Sequence, residues 1–136
     1  MPSSPFPVPV VRLIIVDGQQ RTLLLQRAAG TYGGGGWCLP GGKIDYGLTV
    51  EETIGKELKE ETALDLESFR FLFYQDSLPP EAGGMHCLNL YFECSVSGSL
   101  VLNDESSAYS WLTESEAATH PILFGNDDAL RRYWSA

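Results

Sequence analysis

Glu57, Glu60 and Glu61 crowd into a single helical turn of the stretch GGKIDYGLTVEETIGKELKEETAL, residues 41–64. Like charges three and four residues apart repel on a helix surface, so the crowding needs a reason. A wheel advancing about 100° per residue places Glu57 and Glu61 within the arc of Val50, Ile54 and Leu58, with Glu60 beside it. Glu51, Glu52 and Lys59 fit an ordinary solvated face. Glu57 and Glu61 do not, because their face should turn inward. Carboxylates withdrawn from water need a counter-charge, and Lys56 and Lys59 point elsewhere on the wheel. A divalent cation meets the need, and an all-oxygen donor set favours Mg²⁺ or Mn²⁺.

The same residues resemble the signature of the Nudix hydrolases, G-x5-E-x7-R-E-U-x-E-E-x-G-U, where U is a bulky aliphatic residue. Gly42 takes the first position, and Glu57, Leu58, Glu60, Glu61 and Leu64 match in register. The preceding WCLPGG and the later AYSWL, followed by a capping pattern, also resemble the family. Three positions depart: Leu48 stands for the first Glu, Lys56 for Arg and Ala63 for Gly. Lys keeps the charge of Arg but loses its bidentate fork. Ala63 is strained if its φ is positive.

The resemblance implies hydrolysis of a pyrophosphate bond in a nucleoside diphosphate linked to another group. A small nucleotide such as a nucleoside triphosphate, oxidised or not, is the expected substrate. ADP-ribose or a nucleotide sugar is the alternative, and a non-catalytic nucleotide-binding regulator is the rival from another class. By the same resemblance Glu57, Glu60 and Glu61 are expected metal ligands. The Gly41 carbonyl adds one more, its glycines letting backbone approach the ion. Glu57 or a loop acid is the expected base, with Lys56 holding Glu57. Glu105, then Asp104 and Glu81, are the loop acids. For the nucleotide itself the candidates are Tyr32, Trp37 and Tyr91 as stacking rings, and Asn89, Asn126 and Asp127 as polar contacts. Glu93 shares a strand face with Asn89.

These residues need elements to position them. Val10–Val16 and Arg21–Arg27 read as two strands of a hairpin around an Asp17-Gly18 turn. A glycine-rich loop follows. Thr49 to about Ala63 reads as a helix opened by the capping box Thr49/Glu52. Residues 69–76 and 86–96 read as strands, the latter alternating between an apolar face and a wetter face that carries Asn89 and Tyr91. Residues 99–102 and 108–112 are short strand candidates. Thr113 with Glu116 opens a short helix, and Asn126 is the expected cap of a last one. The class is mixed α and β, with a mixed β-sheet sandwiched between α-helices.

Composition bounds the rest. The chain has 136 residues, 43% of them hydrophobic, which suits one domain over residues 1–136 with residues 1–9 as a stiff Pro-rich lead-in. A net charge of −9 argues against a nucleic-acid partner, which needs clustered Lys and Arg. Three cysteines without a paired spacing suit buried thiols in a reducing compartment. No apolar run is long enough to span a bilayer. The expectation is a cytoplasmic protein without a membrane partner, monomeric or homodimeric.

Overall fold

The computed structural model describes residues 6–79 and 84–136. In chain order the elements are β1 (Val8–Ile15), β2 (Thr22–Arg27), β3 (Trp37–Cys38), β4 (Gly41–Lys43), α1 (Val50–Thr62), β5 (Asp65–Ser77), β6 (Cys87–Ser97), β7 (Ser106–Leu112), α2 (Glu114–Ala117) and α3 (Asn126–Ser135). They make two sheets, one ordered β4-β1-β6-β5 and one ordered β3-β2-β7. β1 runs parallel to β6, and every other pairing is antiparallel.

The apolar runs of β1 and β2 explain the layering. Val11, Leu13 and Ile15 of β1 and Leu23 and Leu25 of β2 pack with Ile54 and Leu58 of α1. The intervening Ile14 and Leu24 pack the opposite way, with Ala117 of α2 and Ala129 and Leu130 of α3. Strands covered on both faces read as continuous apolar runs rather than as alternation. A mixed sheet system between helices is thus what these sequences specify. Leu58 is fully buried, and its replacement by Ala should cost about 2–5 kcal/mol through lost contacts and the cavity left behind.

Four local expectations are corrected. β1 and β2 lie in different sheets and share only the isolated bridge Val16↔Thr22. Their connection is a carboxylate-pinned turn, in which Asp17 Oδ1 accepts from Gln19 N and Arg21 N at 2.8 and 3.0 Å. The lead-in is shorter than expected, since Val8 and Pro9 already belong to β1 and Val8 N donates to His86 O. Residues 99–102 form no strand. Gly98 turns the chain at φ 101°, and Val101 N donates to Thr62 O instead, laying Leu100 and Leu102 over the α1 core. The glycine-rich segment hides two short strands, β3 and β4, which propensity cannot register at two and three residues. Among the described residues no helix is long and apolar enough to cross a membrane.

Candidate active site

The phase of α1 is set at its first turn. Thr49 accepts from Glu52 N at 3.1 Å, and Glu52 Oε1 accepts from Thr49 N at 2.9 Å, so the capping box is complete. With Ile54 and Leu58 anchored in the core, Glu57 and Glu61 are carried onto β4. Glu57 is only 12% exposed along its side chain, whereas Glu60 is 54% exposed, the separation the helical wheel requires.

Gly41 and Gly42 have a steric reason to be here. A Cβ on Gly42 would lie 2.5 Å from Glu57 Oε1, and one on Gly41 would lie 2.0 Å from the Val11 carbonyl oxygen. The missing side chains make room for a carboxylate and a neighbouring strand. Gly41 N donates to Glu61 Oε2 at 3.3 Å. Glu61 is held well above the usual carboxylate range, first by burial, then by its hydrogen bond to Glu57 and the charge of that neighbour; Gly41 N–H pulls the other way and Glu105 adds repulsion. The charge of Glu105 is therefore felt at Glu61 although its residue is exposed. Asp104 is solvent-exposed, and Glu81 lies outside the described residues.

Lys56 lies 3.6 Å from Glu57 Oε1, 3.3 Å from Glu60 Oε1 and 3.5 Å from Asp45 Oδ2. Its ammonium is held above the usual lysine range, chiefly by Glu60 and then by Glu57. It holds Glu57 loosely, as a single ammonium shared by three carboxylates must. Asp45 was not foreseen. It sits in the loop where Leu48 replaces an acid, and it offers Lys56 a partner from that loop. Glu60 turns to Lys56 rather than to Glu61. The three glutamates are thus not gathered on one point, and among the described residues no three His, Cys, Asp or Glu side chains are so gathered. Ion pairs among the described residues reach Glu57 and Glu60 but not Glu61. An acid pair whose inner member, Glu61, has no ion-pair partner among the described residues fits a divalent ion.

On the other face of the sheets, polar residues from distant parts of the chain are wired together. Leu39 N donates to Asn126 Oδ1 at 2.9 Å, Asn126 Nδ2 donates to the Tyr91 oxygen at 3.1 Å, and Tyr91 O–H donates to Gln75 Oε1 at 2.9 Å. Asn89 Nδ2 donates to the same Gln75 oxygen at 3.1 Å, and Gln75 Nε2 donates to Gly125 O at 2.9 Å.

This wiring corrects several expectations. Tyr91 is fully buried and cannot offer a ring face for stacking. Asn126 does not cap α3; Gly125 is the N-cap, and the Asn126 side chain holds the WCLPGG backbone instead. Asn89 lies on a buried face, not a wet one. Trp37 packs on the second core cluster with its ring at 87° to His120, 5.3 Å away. Asp127 lies 3.8 Å from Arg131 on the α3 surface, and Glu93 is engaged by Arg70 and Tyr133. Tyr32 is the one proposed ring that stays open, 81% exposed and stacked on Phe124 at 6.0 Å. Arg12 and Arg27 approach the same Phe124 ring, at 5.5 and 6.0 Å. Neither arginine was foreseen, although Arg12 interrupts the apolar run VVRLII.

With this geometry in place, comparison with known proteins is decisive. The model of the NUDIX domain matches residues 6–133. The chain belongs to the Nudix family. It is a Nudix-type pyrophosphohydrolase acting on nucleotides, in a family whose hydrolases use divalent metal ions. Nucleoside triphosphatase NudI of Salmonella arizonae is 27% identical over 109 residues, covering 71% of this chain and 75% of that protein. Putative 8-oxo-dGTP diphosphatase 3 of Mycobacterium tuberculosis is 33% identical over 111 residues, 78% of this chain and 50% of that protein. The crystal structure of a MutT NUDIX hydrolase from Burkholderia pseudomallei superposes with a TM-score of 0.82 at 27% identity, covering 93% of this chain and 97% of that one. Its match extends the Nudix fold over both sheets.

Proposed function

We propose that this Nudix hydrolase cleaves a small nucleotide, a nucleoside triphosphate including oxidised forms, using Mg²⁺ or Mn²⁺ held by Glu57 and Glu61. The observation that carries this is the half-buried Glu57–Glu61 pair, which lies against Gly41 and Gly42 with no cation paired to Glu61. The Gly41 carbonyl, Glu60 and Glu105 would complete the proposed donor set. The two relatives, nucleoside triphosphatase NudI and Putative 8-oxo-dGTP diphosphatase 3, support the substrate class. Free cysteines, two of them buried, fit a reducing cytoplasm. Monomer and homodimer both suit the reading.

A bound divalent ion supplies neutralisation of phosphate oxygens and a more acidic water. The chain's own residues do the remainder. Glu57 takes the proton of the attacking water as general base. Lys56 sets a positive charge beside Glu57 and limits its rotation, and Asp45 ties Lys56 to the loop that carries Leu48. Gly41 N–H fixes Glu61 on the side facing β4.

The test is product analysis with nucleoside triphosphates, ADP-ribose and nucleotide sugars, with Mg²⁺, with Mn²⁺ and with EDTA. Metal-dependent release of a nucleoside monophosphate and pyrophosphate from triphosphates is the expected result. Tight nucleotide binding with no turnover of any of them would instead favour the regulator.

A further inference from the structure

Two buried polar atoms on this sheet face have no hydrogen-bond partner among the described residues: Arg12 Nε, a donor, and Asn89 Oδ1, an acceptor. Leaving either unmade costs the desolvation of that group, about 1–3 kcal/mol and more for a charged one. The orientation of Asn89 is fixed by its neighbours. Gln75 spends its N–H on Gly125, so its oxygen must receive, and Asn89 must present Nδ2 to it and leave Oδ1 open. Arg12 makes no side-chain hydrogen bond or ion pair among the described residues; its recorded contact is with the Phe124 ring.

The two atoms share one sheet face. Arg12 is the register partner of Tyr91 across the parallel β1–β6 pair, and Asn89 lies two residues before Tyr91 on the same side. On its other flank Arg12 pairs with Gly41, whose N–H contacts Glu61. Arg12 therefore lies one strand away from the backbone N–H that contacts Glu61. Phe124 is kept over Arg12 at a cost. Its φ is 62°, a conformation that bulky residues avoid. Strain of this kind persists where the surroundings hold it for a purpose.

We propose that Arg12 and Asn89 read the base of the substrate, and that they select a lactam edge, a ring C=O beside a ring N–H, as in guanine, uracil and thymine. This rests on the reading of the chain as a nucleotide hydrolase. A phosphate does not fit the pair, because it offers acceptors alone and would leave Asn89 Oδ1 facing like charge. A base edge with one acceptor and one donor satisfies both atoms. The charged donors of Arg12 favour a carbonyl oxygen, with two lone pairs, over an imine nitrogen with one. Adenine and cytosine can meet the pair only by turning a ring imine nitrogen toward Arg12 and the amino group toward Asn89, which gives the charged donors of Arg12 the poorer acceptor.

The experiment measures kcat/KM for GTP, UTP, ATP and CTP on the parent, Arg12→Met and Arg12→Lys, with thermal melts to confirm folding. It adds the Kd of GMP and AMP in EDTA. The parent should prefer GTP and UTP over ATP and CTP by about tenfold or more, the discrimination of one good side-chain–base pairing. Arg12→Met should erase most of that preference by losing GTP and UTP while sparing ATP and CTP, and GMP affinity should fall toward that of AMP. Arg12→Lys should restore part of it. An equal loss on all four substrates would place Arg12 on a phosphate and overturn the proposal, as would an unchanged preference. If no nucleotide is turned over by the parent, the hydrolase reading fails, and the metal-free Kd values still decide for or against Arg12.

Discussion

The two sides of the β1–β4 seam are built in opposite ways. On the α1 side, the acid pair comes from one helix, four residues apart, backed by a glycine pair that makes room for it. On the other side, the polar floor is assembled from Arg12, Gln75, Asn89, Tyr91 and Asn126, which lie on β1, β5, β6 and α3. The first side holds a buried acid, Glu61, that no ion pair among the described residues reaches. The second is almost fully satisfied, with two atoms left over. The proposed cation seat is left electrostatically open, while the proposed recognition floor is wired rigid. Function in each case is marked by what remains unpaired.

The comparison breaks most readily at Glu61. Glu61→Gln keeps the shape and removes the charge, so hydrolysis should fall by about a hundredfold or more. The metal-free protein should melt at a higher temperature, because a buried acid that resists ionisation has been removed. Activity assays and melts in EDTA check both, and full activity in the variant would end the metal assignment.

Next in size is the wiring of the other side. Asn126→Ala strips partners from Leu39 N–H and the Tyr91 hydroxyl, both buried. A loss of about 2–4 kcal/mol in unfolding free energy is expected, measured by chemical denaturation. A change within experimental error would show that the network is ornamental.

Lys56 sharpens the contrast by separating rate from binding. Lys56→Met should lower kcat by about tenfold and leave nucleotide Kd nearly unchanged, since a residue that acts through the general base affects the transition state. Lys56→Arg should hold or raise kcat. A parent-like kcat in Lys56→Met would reduce the residue to a solvated helix position.

The smallest effect lies at the end of α1. Ala63 is its C-cap at φ 61°, so the departure from Gly is a strained one. Ala63→Gly should stabilise the fold by about 1 kcal/mol without altering activity. An unchanged melting temperature would show that the left-handed conformation costs nothing here.

The same contrast explains what could be read before the fold was known. Helical periodicity is local, so Glu57 and Glu61 announce themselves against Val50, Ile54 and Leu58, and the capping box at Thr49 locates the helix start. The floor has no local signal. Gln75 looks like one polar residue in an edge strand, and its role appears only when β5 pairs with β6 and sets it opposite Asn89. Tyr91 was misjudged because ring chemistry does not say whether a ring is covered. Arg12 did carry a signal, a lone charge inside an apolar strand, but its meaning depends on Phe124, more than a hundred residues away. Asp45 lay inside the unspecified stretch of the signature and became visible only through its distance to Lys56.

The central claim is that Glu57 and Glu61 form the seat of a divalent cation. Mn²⁺ binding followed by electron paramagnetic resonance, without nucleotide, on the parent, Glu57→Gln and Glu61→Gln, tests it most directly. The account predicts a saturable Mn²⁺ site in the parent that Mg²⁺ displaces, and that is weakened by about tenfold or more in each variant, the scale of one lost charge–charge contact in a half-buried site. Equal Mn²⁺ affinity in all three proteins would contradict it.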